Sequence, residues 1–112
     1  MNKHIIVGRL SRDPESRTTP SGMVVVKMSV PTDDGWGEKK KTTWHNLVAF
    51  GKTAEFCGAY LKKGSWVSVE GRLDKDKWED KEGYKRESVS TIVDRINFVG
   101  PKQTAEQGAD EP

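Results

Sequence analysis

Short runs of β-branched and aromatic residues alternate with clusters of turn-forming residues along most of this chain. Within one run, Val67 and Val69 alternate with Ser68 and Glu70, which is the period of a strand with one buried face. Clusters of Pro, Gly, Asp and Ser separate the runs and favour turns. We therefore predict five strands, at residues 3–10, 23–30, 42–50, 65–73 and 84–99, the last as one long strand or two short ones.

The segment at residues 53–63 follows a helical period instead. It places Ala54, Cys57 and Leu61 on one side, with Thr53 expected to cap its start and Gly64 to adopt the left-handed conformation after its end. A helix between the third and fourth of five strands is the element order of an OB-fold. The sequence thus predicts an all-β OB-fold, a five-stranded Greek-key barrel with one short helix, and a β-sandwich is the alternative.

The chain has 112 residues, the size of a single domain. The alternating pattern covers residues 1–100, which we predict to be the OB-fold domain. Residues 101–112 contain no large apolar side chain and have three acidic residues against one lysine, so we predict a short disordered acidic tail there. No apolar run approaches the ~20 residues that span a bilayer, and no signal peptide is recognisable, so we expect a soluble, cytoplasmic protein.

The sequence contains no pattern typical of a catalytic or metal-binding site. The single cysteine, Cys57, together with His4 and His45, cannot supply the four ligands of a structural zinc ion, and Cys57 is expected to be buried. The segment Gly51-Lys52-Thr53 lacks the glycine five residues earlier that a phosphate-binding loop requires. Most carboxylates alternate with lysines, as in a solvated hairpin. We therefore predict neither enzymatic activity nor a cofactor.

Tryptophans among basic residues indicate a binding role. The net charge is only +2, so the placement of the charges says more than their sum. Trp36 lies in a loop just before three consecutive lysines, and Trp78 follows Lys75 and Lys77. The bases of a single strand offer faces on which indoles can stack, while lysines and arginines neutralise phosphates. This pattern predicts binding of a single-stranded nucleic acid, because a duplex hides its base faces.

Two further aromatic residues, Trp44 and Phe50, share one parity on the predicted third strand. At ~3.3 Å per residue their Cα atoms are about 20 Å apart, which leaves room for several bases. The opposite parity holds His45, Leu47 and Ala49. Periodicity alone leaves open which of the two sets faces the core.

A series of motifs recurs in order along residues 1–99, among them Gly8-Arg9-Leu10, Thr19-Pro20-Ser21-Gly22, Thr43-Trp44-His45, Phe50-Gly51-Lys52 and Val69-Glu70-Gly71-Arg72-Leu73. In these motifs the chain resembles the bacterial single-stranded DNA-binding proteins. The resemblance implies an OB-fold that assembles as a homotetramer, with a dimer as the alternative. It also implies sequence-independent binding of single-stranded DNA, which the protein protects in replication, recombination and repair, in the cytoplasm and in association with the nucleoid.

The resemblance also implies roles for individual residues. The stacking aromatics of the family match Trp36, Trp44, Phe50 and Trp78, so Trp44 and Phe50 are expected to be exposed. Its basic positions match Lys52, Lys62, Lys63, Arg72, Lys75 and Lys77. His45 matches a histidine associated with subunit assembly and is expected at an oligomer interface rather than in catalysis.

The chain also departs from the family pattern. Asn46 stands where members often have an arginine, which is expected to remove one phosphate contact. Members usually carry a long tail with a terminal Pro-Phe that recruits replication and repair enzymes, whereas this sequence ends in Asp110-Glu111-Pro112 and leaves such partners open. The alternatives are a primosome-type accessory protein that acts mainly through protein partners, a nuclease on an OB scaffold and an RNA-binding protein similar to cold-shock domains.

Overall fold

A computed structural model describes residues 1–99, and the tail expected at residues 101–112 lies outside the described residues. Along the described range, the elements are β1 (His4–Arg9), β2 (Glu15–Thr18), β3 (Val24–Asp34), β4 (Lys41–Phe50), α1 (Gly51–Tyr60), β5 (Trp66–Glu79) and β6 (Lys85–Phe98). One turn of 3-10 helix, Gly37–Lys39, lies between β3 and β4. In this part of the chain no helix is both long enough and apolar enough to span a membrane.

The strands form one sheet in the order β1-β5-β6-β4-β3-β2, which is antiparallel except for the parallel pair of β4 and β6. Just beyond β1, the amide of Ser11 donates to the carbonyl oxygen of Ser29 in β3 at 3.0 Å. This contact brings the two ends of the five-strand order β1-β5-β6-β4-β3 together and curls the sheet into a barrel. With the short β2 set aside, α1 connects the third and fourth barrel strands, and the predicted OB-fold is confirmed.

The barrel interior takes the inward side chains of each strand. Val26, Met28 and Val30 of β3 are buried, as are Leu47 and Ala49 of β4. Helix α1 closes this core with Ala54 and Cys57, and Leu61 follows just after the helix. The predicted burial of Cys57 is therefore confirmed, and burial raises the pKa of its thiol to about 11, which makes it inert as a nucleophile at neutral pH.

Two predictions for the strands before β4 need correction. Residues 15–18 were expected to be loop but form β2, which pairs with the start of β3 although all four side chains are exposed. Strand β3 was expected to stop before Pro31 but continues to Asp34. Among the strands of residues 1–99, only β4 pairs with β3 at Pro31, so the missing amide of proline removes no hydrogen bond to a second of these strands.

The helix also differs from its predicted bounds, because it begins at Gly51 and ends at Tyr60. The prediction of Thr53 as its cap is wrong: Phe50 occupies that position in an extended conformation and makes no side-chain cap hydrogen bond. Gly64 does take a left-handed conformation, with φ of 90°, but in the turn that leads into β5.

Beyond the barrel, β5 and β6 continue as a two-stranded ribbon of residues 74–90, which we call the arm. Strand β5 was expected to end at residue 73, yet the pairing of the two strands runs on to Glu79 and Lys85. Residues 80–83 form the turn at the end of the arm. The arm leaves the barrel just past an irregularity between Glu70 and Gly71, where Asp94 is the extra residue on β6.

We expect opposite effects from two glycine-to-alanine substitutions. A Cβ on Gly71 would lie 2.1 Å from the carbonyl oxygen of Ile92, so Gly71→Ala must displace backbone and should lower the free energy of unfolding by about 1–3 kcal/mol. A Cβ on Gly58, inside α1, would meet nothing closer than Val26 at 3.8 Å, so Gly58→Ala should raise it by up to ~1 kcal/mol. Urea unfolding of both variants measures these changes. A Gly71→Ala variant as stable as the parent would contradict the close approach at the bulge.

Candidate nucleic-acid interface

The outer face of β4 carries two of the four predicted stacking residues. Because Leu47 and Ala49 are fully buried, the residues between and beside them must point outward. Trp44 is 60% exposed and Phe50 is 43% exposed. The question that periodicity left open is therefore answered, since Trp44 and Phe50 face away from the barrel interior.

Trp36 lies in the loop at residues 35–40, at the end of the β3–β4 hairpin. It is 87% exposed, the largest exposure of any tryptophan in the described range. At the base of this loop, the hydroxyl of Thr42 donates to Asp33 at 2.6 Å and Lys40 lies 3.6 Å from the same carboxylate. These contacts, of which the hydrogen bond is the larger cause, hold the pKa of Asp33 below its ordinary value. The same contacts stabilise the base of the hairpin from which the loop projects.

The arm has two faces of different composition. Cross-strand pairing sets Trp78 opposite Arg86, and by alternation Asp74 and Asp76 lie on the same face as Trp78. Lys75 and Lys77 lie on the other face, where Lys75 is 3.5 Å from Glu87. The structure therefore does not bring Lys75 and Lys77 onto the face that carries Trp78.

The turn of the arm is fixed around Asp80. Its Oδ1 accepts hydrogen bonds from the amides of Glu82 and Tyr84, and its Oδ2 accepts one from Arg86 Nε at 2.8 Å. The contact with Arg86 is the largest of the causes that lower the pKa of Asp80. Asp80 thereby restrains Arg86, which is the cross-strand neighbour of Trp78. The side chain of Trp78 is 50% exposed.

A groove of about 500 Å³ lies where the arm leaves the barrel. Its barrel wall comes from β3, β4 and the loop after β1, and its arm wall comes from β5 and β6. The exposed and half-buried residues that line it are Arg12, Val25, Lys27, Asn46, Val48 and Phe50 on the barrel wall and Asp74, Asp76, Ser88, Val89, Ser90 and Ile92 on the arm wall. Phe50 therefore belongs both to the outer face of β4 and to this groove.

The remaining predicted basic residues lie around α1 and β5, and all are exposed. Lys52 lines a shallow depression with Asp94, and Arg72 is 3.3 Å from the same carboxylate. Lys62 and Lys63 follow the other end of α1, where the amide of Lys63 donates to Asp13 at 2.8 Å. The structure thus places Lys52 and Arg72 near each other, and Lys62 and Lys63 apart from them.

The sequence reasoning missed three basic residues near the exposed aromatic side chains. Arg12 and Lys27 line the groove, and Arg86 lies opposite Trp78 on the arm. Lys27 could have been found, because it alternates with the buried Val26 and Met28 and must face outward like Phe50. Arg12 follows β1 in a loop and reaches the groove only through the tertiary fold. Arg86 was hidden because the register of the arm could not be read from its charged residues.

His45 is half-buried and points toward the inner side of the sheet. Its Nε2 is 2.8 Å from the Thr32 hydroxyl, and its ring centroid is 5.2 Å from that of His4. His4 in turn lies 2.7 Å from the Thr91 hydroxyl. Neither histidine has the surroundings of a metal site, since residues 1–99 hold no group of three or more His, Cys, Asp or Glu side chains that could bind a metal ion.

Comparison with known proteins assigns a family to this arrangement. The model of the single-strand binding protein family matches residues 1–99. The chain is 37% identical over 114 aligned positions to the single-stranded DNA-binding proteins of Neisseria meningitidis serogroup A and serogroup B, and the match includes 97% of this chain. The chain spans 66% of the length of these relatives, slightly less than two thirds.

The position of His45 leads to an expected pH dependence. Burial, followed by the neighbouring His4, lowers the pKa of His45, while Asp34 acts in the opposite direction. The unfolded chain therefore binds this proton more readily, so the contribution of His45 to stability is complete above about pH 6.5 and is lost as the pH falls. We expect the midpoint temperature of thermal unfolding to decrease as the pH is lowered from about 7.5 to about 5.5. The decrease should be smaller in the variant His45→Gln. Equal pH dependence in the two proteins would contradict this assignment.

Proposed function

The chain belongs to the single-strand binding protein family, and from this premise we propose that it binds single-stranded DNA largely without regard to sequence. Bases stack on its exposed aromatic rings, and its lysines and arginines contact the phosphates. The observation that carries the proposal is the exposure of Trp44 and Phe50 on the outer face of β4. Large aromatic side chains exposed on one strand face are costly in water unless a partner covers them.

The dimensions of this face suit a polynucleotide. The six residues from Trp44 to Phe50 span about 20 Å at ~3.3 Å per residue, which allows several nucleotides between two stacking positions. Every base has a π-face, so stacking tolerates any sequence. Trp36 beyond one end of β4 and Trp78 on the arm extend the same surface in two directions.

The cations around this surface supply the electrostatic part of binding. We assign phosphate contacts to Lys52, Lys62, Lys63 and Arg72 from the sequence expectation, and to Arg12 and Lys27 from their place in the groove. Lys75 and Lys77 lie on the opposite face of the arm, so they contact phosphates only where a strand passes around the arm. Such contacts release counterions and make the affinity depend on salt.

The role that fits this binding is the protection of single-stranded DNA in replication, recombination and repair. The relatives from Neisseria meningitidis carry the name of a DNA-binding protein and not of an enzyme. Binding that tolerates any sequence suits a protein that must cover whatever strand is exposed. The chain therefore acts by occupying DNA rather than by transforming it.

We also propose that copies of this chain assemble through β1. Among the described strands β1 pairs only with β5, so its other edge carries no strand. Its outward residues Ile5 and Val7 are 66% and 56% exposed, and Trp66 beside them is 42% exposed with Arg9 5.7 Å above its ring. An open edge with an apolar face favours pairing with a second copy. The ring of His45 lies 5.2 Å from that of His4 at the start of this strand, and in this proposal His45 belongs to the same interface.

We expect the fluorescence of the chain to report DNA binding. Adding a dT oligomer should quench tryptophan emission, and the affinity should fall with salt at a log–log slope of about −0.7 per neutralised phosphate. Trp44→Ala and Trp78→Ala should each weaken binding by ~1–3 kcal/mol, or about 5- to 150-fold.

The control for these variants is Tyr60→Ala. Tyr60 is as exposed as the stacking residues, at 66%, but it lies at the end of α1 against Phe56 and away from the outer face of β4. Its loss should leave the affinity nearly unchanged. A parent protein that shows no quenching at low salt would refute single-stranded DNA binding by these rings.

The assembly is tested by solution mass. Light scattering should give a multiple of the chain's mass, with four copies expected, and Val7→Lys should lower it because a charge on the apolar face of β1 opposes pairing. Val89→Lys is the matched control, since Val89 is 44% exposed on the arm, away from β1. A monomeric parent, or equal masses for the parent and Val7→Lys, would rule out assembly through this strand.

A further inference from the structure

We propose that the groove between barrel and arm fixes the orientation of the bound strand and gives it a base preference. Phosphates face Arg12 and Lys27 on the barrel wall, and base edges face Asp74 and Asp76 on the arm wall. The two carboxylates then favour bases that present an amino group, such as cytosine, over thymine. This inference rests on the proposed function and adds to it a modest preference on top of largely sequence-tolerant stacking.

The charges of the groove are segregated by wall. Arg12 and Lys27 are cations contributed by the loop after β1 and by β3, whereas Asp74 and Asp76 are carboxylates contributed by β5. These opposite charges form no ion pair with one another anywhere in the described chain, although they line one groove. These charged groups of the groove therefore remain available to a ligand.

The two carboxylates also differ from the other charged groups of the arm. Lys75 is paired with Glu87, and Asp80 is paired with Arg86. By contrast, Asp74 and Asp76 accept no hydrogen bond and form no ion pair within residues 1–99. Their side chains are exposed and point along the face that holds Trp78, so their accepting oxygens are free on the side where a strand would lie.

This separation of charges determines which wall the sugar-phosphate backbone faces and which wall the bases face. A phosphate beside Asp74 or Asp76 meets a like charge, while a phosphate beside Arg12 or Lys27 meets an opposite one. The backbone therefore follows the barrel wall. With Phe50 at the groove providing a stacking platform, the edges of the bases point across to the arm wall.

The chemistry of the arm wall then distinguishes between bases. An ionised carboxylate only accepts hydrogen bonds. The N4 amino group of cytosine donates to aspartate or glutamate, whereas thymine presents the O4 acceptor at the corresponding position and is repelled. The hydroxyls of Ser88 and Ser90 on the same wall can donate or accept, so they add contacts without selecting between these bases.

The test compares dC and dT oligomers of equal length, because both stack weakly on themselves. Binding of each is measured by tryptophan quenching for the parent and for the double variant Asp74→Asn/Asp76→Asn, whose amides donate as well as accept. We expect the variant to gain affinity for dT more than for dC, so that the ratio of the two dissociation constants shifts toward dT by about threefold or more.

The matched control is Glu79→Gln/Glu87→Gln. It makes the same change in net charge on the same arm, but on the face opposite Asp74 and Asp76. It should change the affinities for dC and dT by one common, salt-dependent factor. An equal change for both oligomers in Asp74→Asn/Asp76→Asn as well would overturn the base preference, since the carboxylates would then act only on phosphates. If the parent binds neither oligomer, the proposed function fails and this inference fails with it.

Discussion

The exposure of the aromatic residues depends on the burial of Leu47 and Ala49. Side chains alternate across a strand, so a strand that buries these two residues must turn Trp44 and Phe50 outward. A slip of one residue would reverse both sets. Such a slip is opposed on both sides of β4, because β3 pairs with its whole length and β6 pairs with Leu47 and Val48. The packing of the barrel thus fixes the surface that we propose to bind DNA.

The sequence predicted the barrel well, because its strands alternate between buried apolar and exposed polar residues. It could not decide the orientation of β4 by itself, since Trp44 and Phe50 are as apolar as Leu47 and Ala49. The curled sheet decides it, because the narrow interior accepts the smaller side chains. Strand β2 was missed for a related reason: all its side chains are exposed, so no periodicity marks it.

The orientation of the arm relative to the barrel could not be predicted from the sequence. Alternation alone predicts that Asp74 and Asp76 share a face with Trp78, and that Lys75 and Lys77 share the other. Which face meets the barrel depends on how the ribbon leaves it, past the extra residue Asp94 and the close approach of Gly71 to Ile92. Nothing in the local pattern marks this bend. The proximity of a basic residue to a tryptophan in the chain was therefore a poor guide to their proximity on the surface.

The low local stability of the arm also affects the free energy of binding. At residues 74–90 it is a ribbon of two strands, and no third strand of the described range 1–99 pairs with it, whereas the barrel strands are supported by neighbours and a common core. Its amide groups therefore open and exchange with solvent more readily than those of β4. A ligand that touches both walls of the groove joins a stiff wall to a compliant one. Part of the binding free energy then offsets the conformational entropy that the ribbon loses when it is ordered. Substitutions that stiffen the free ribbon therefore tighten binding without adding any contact.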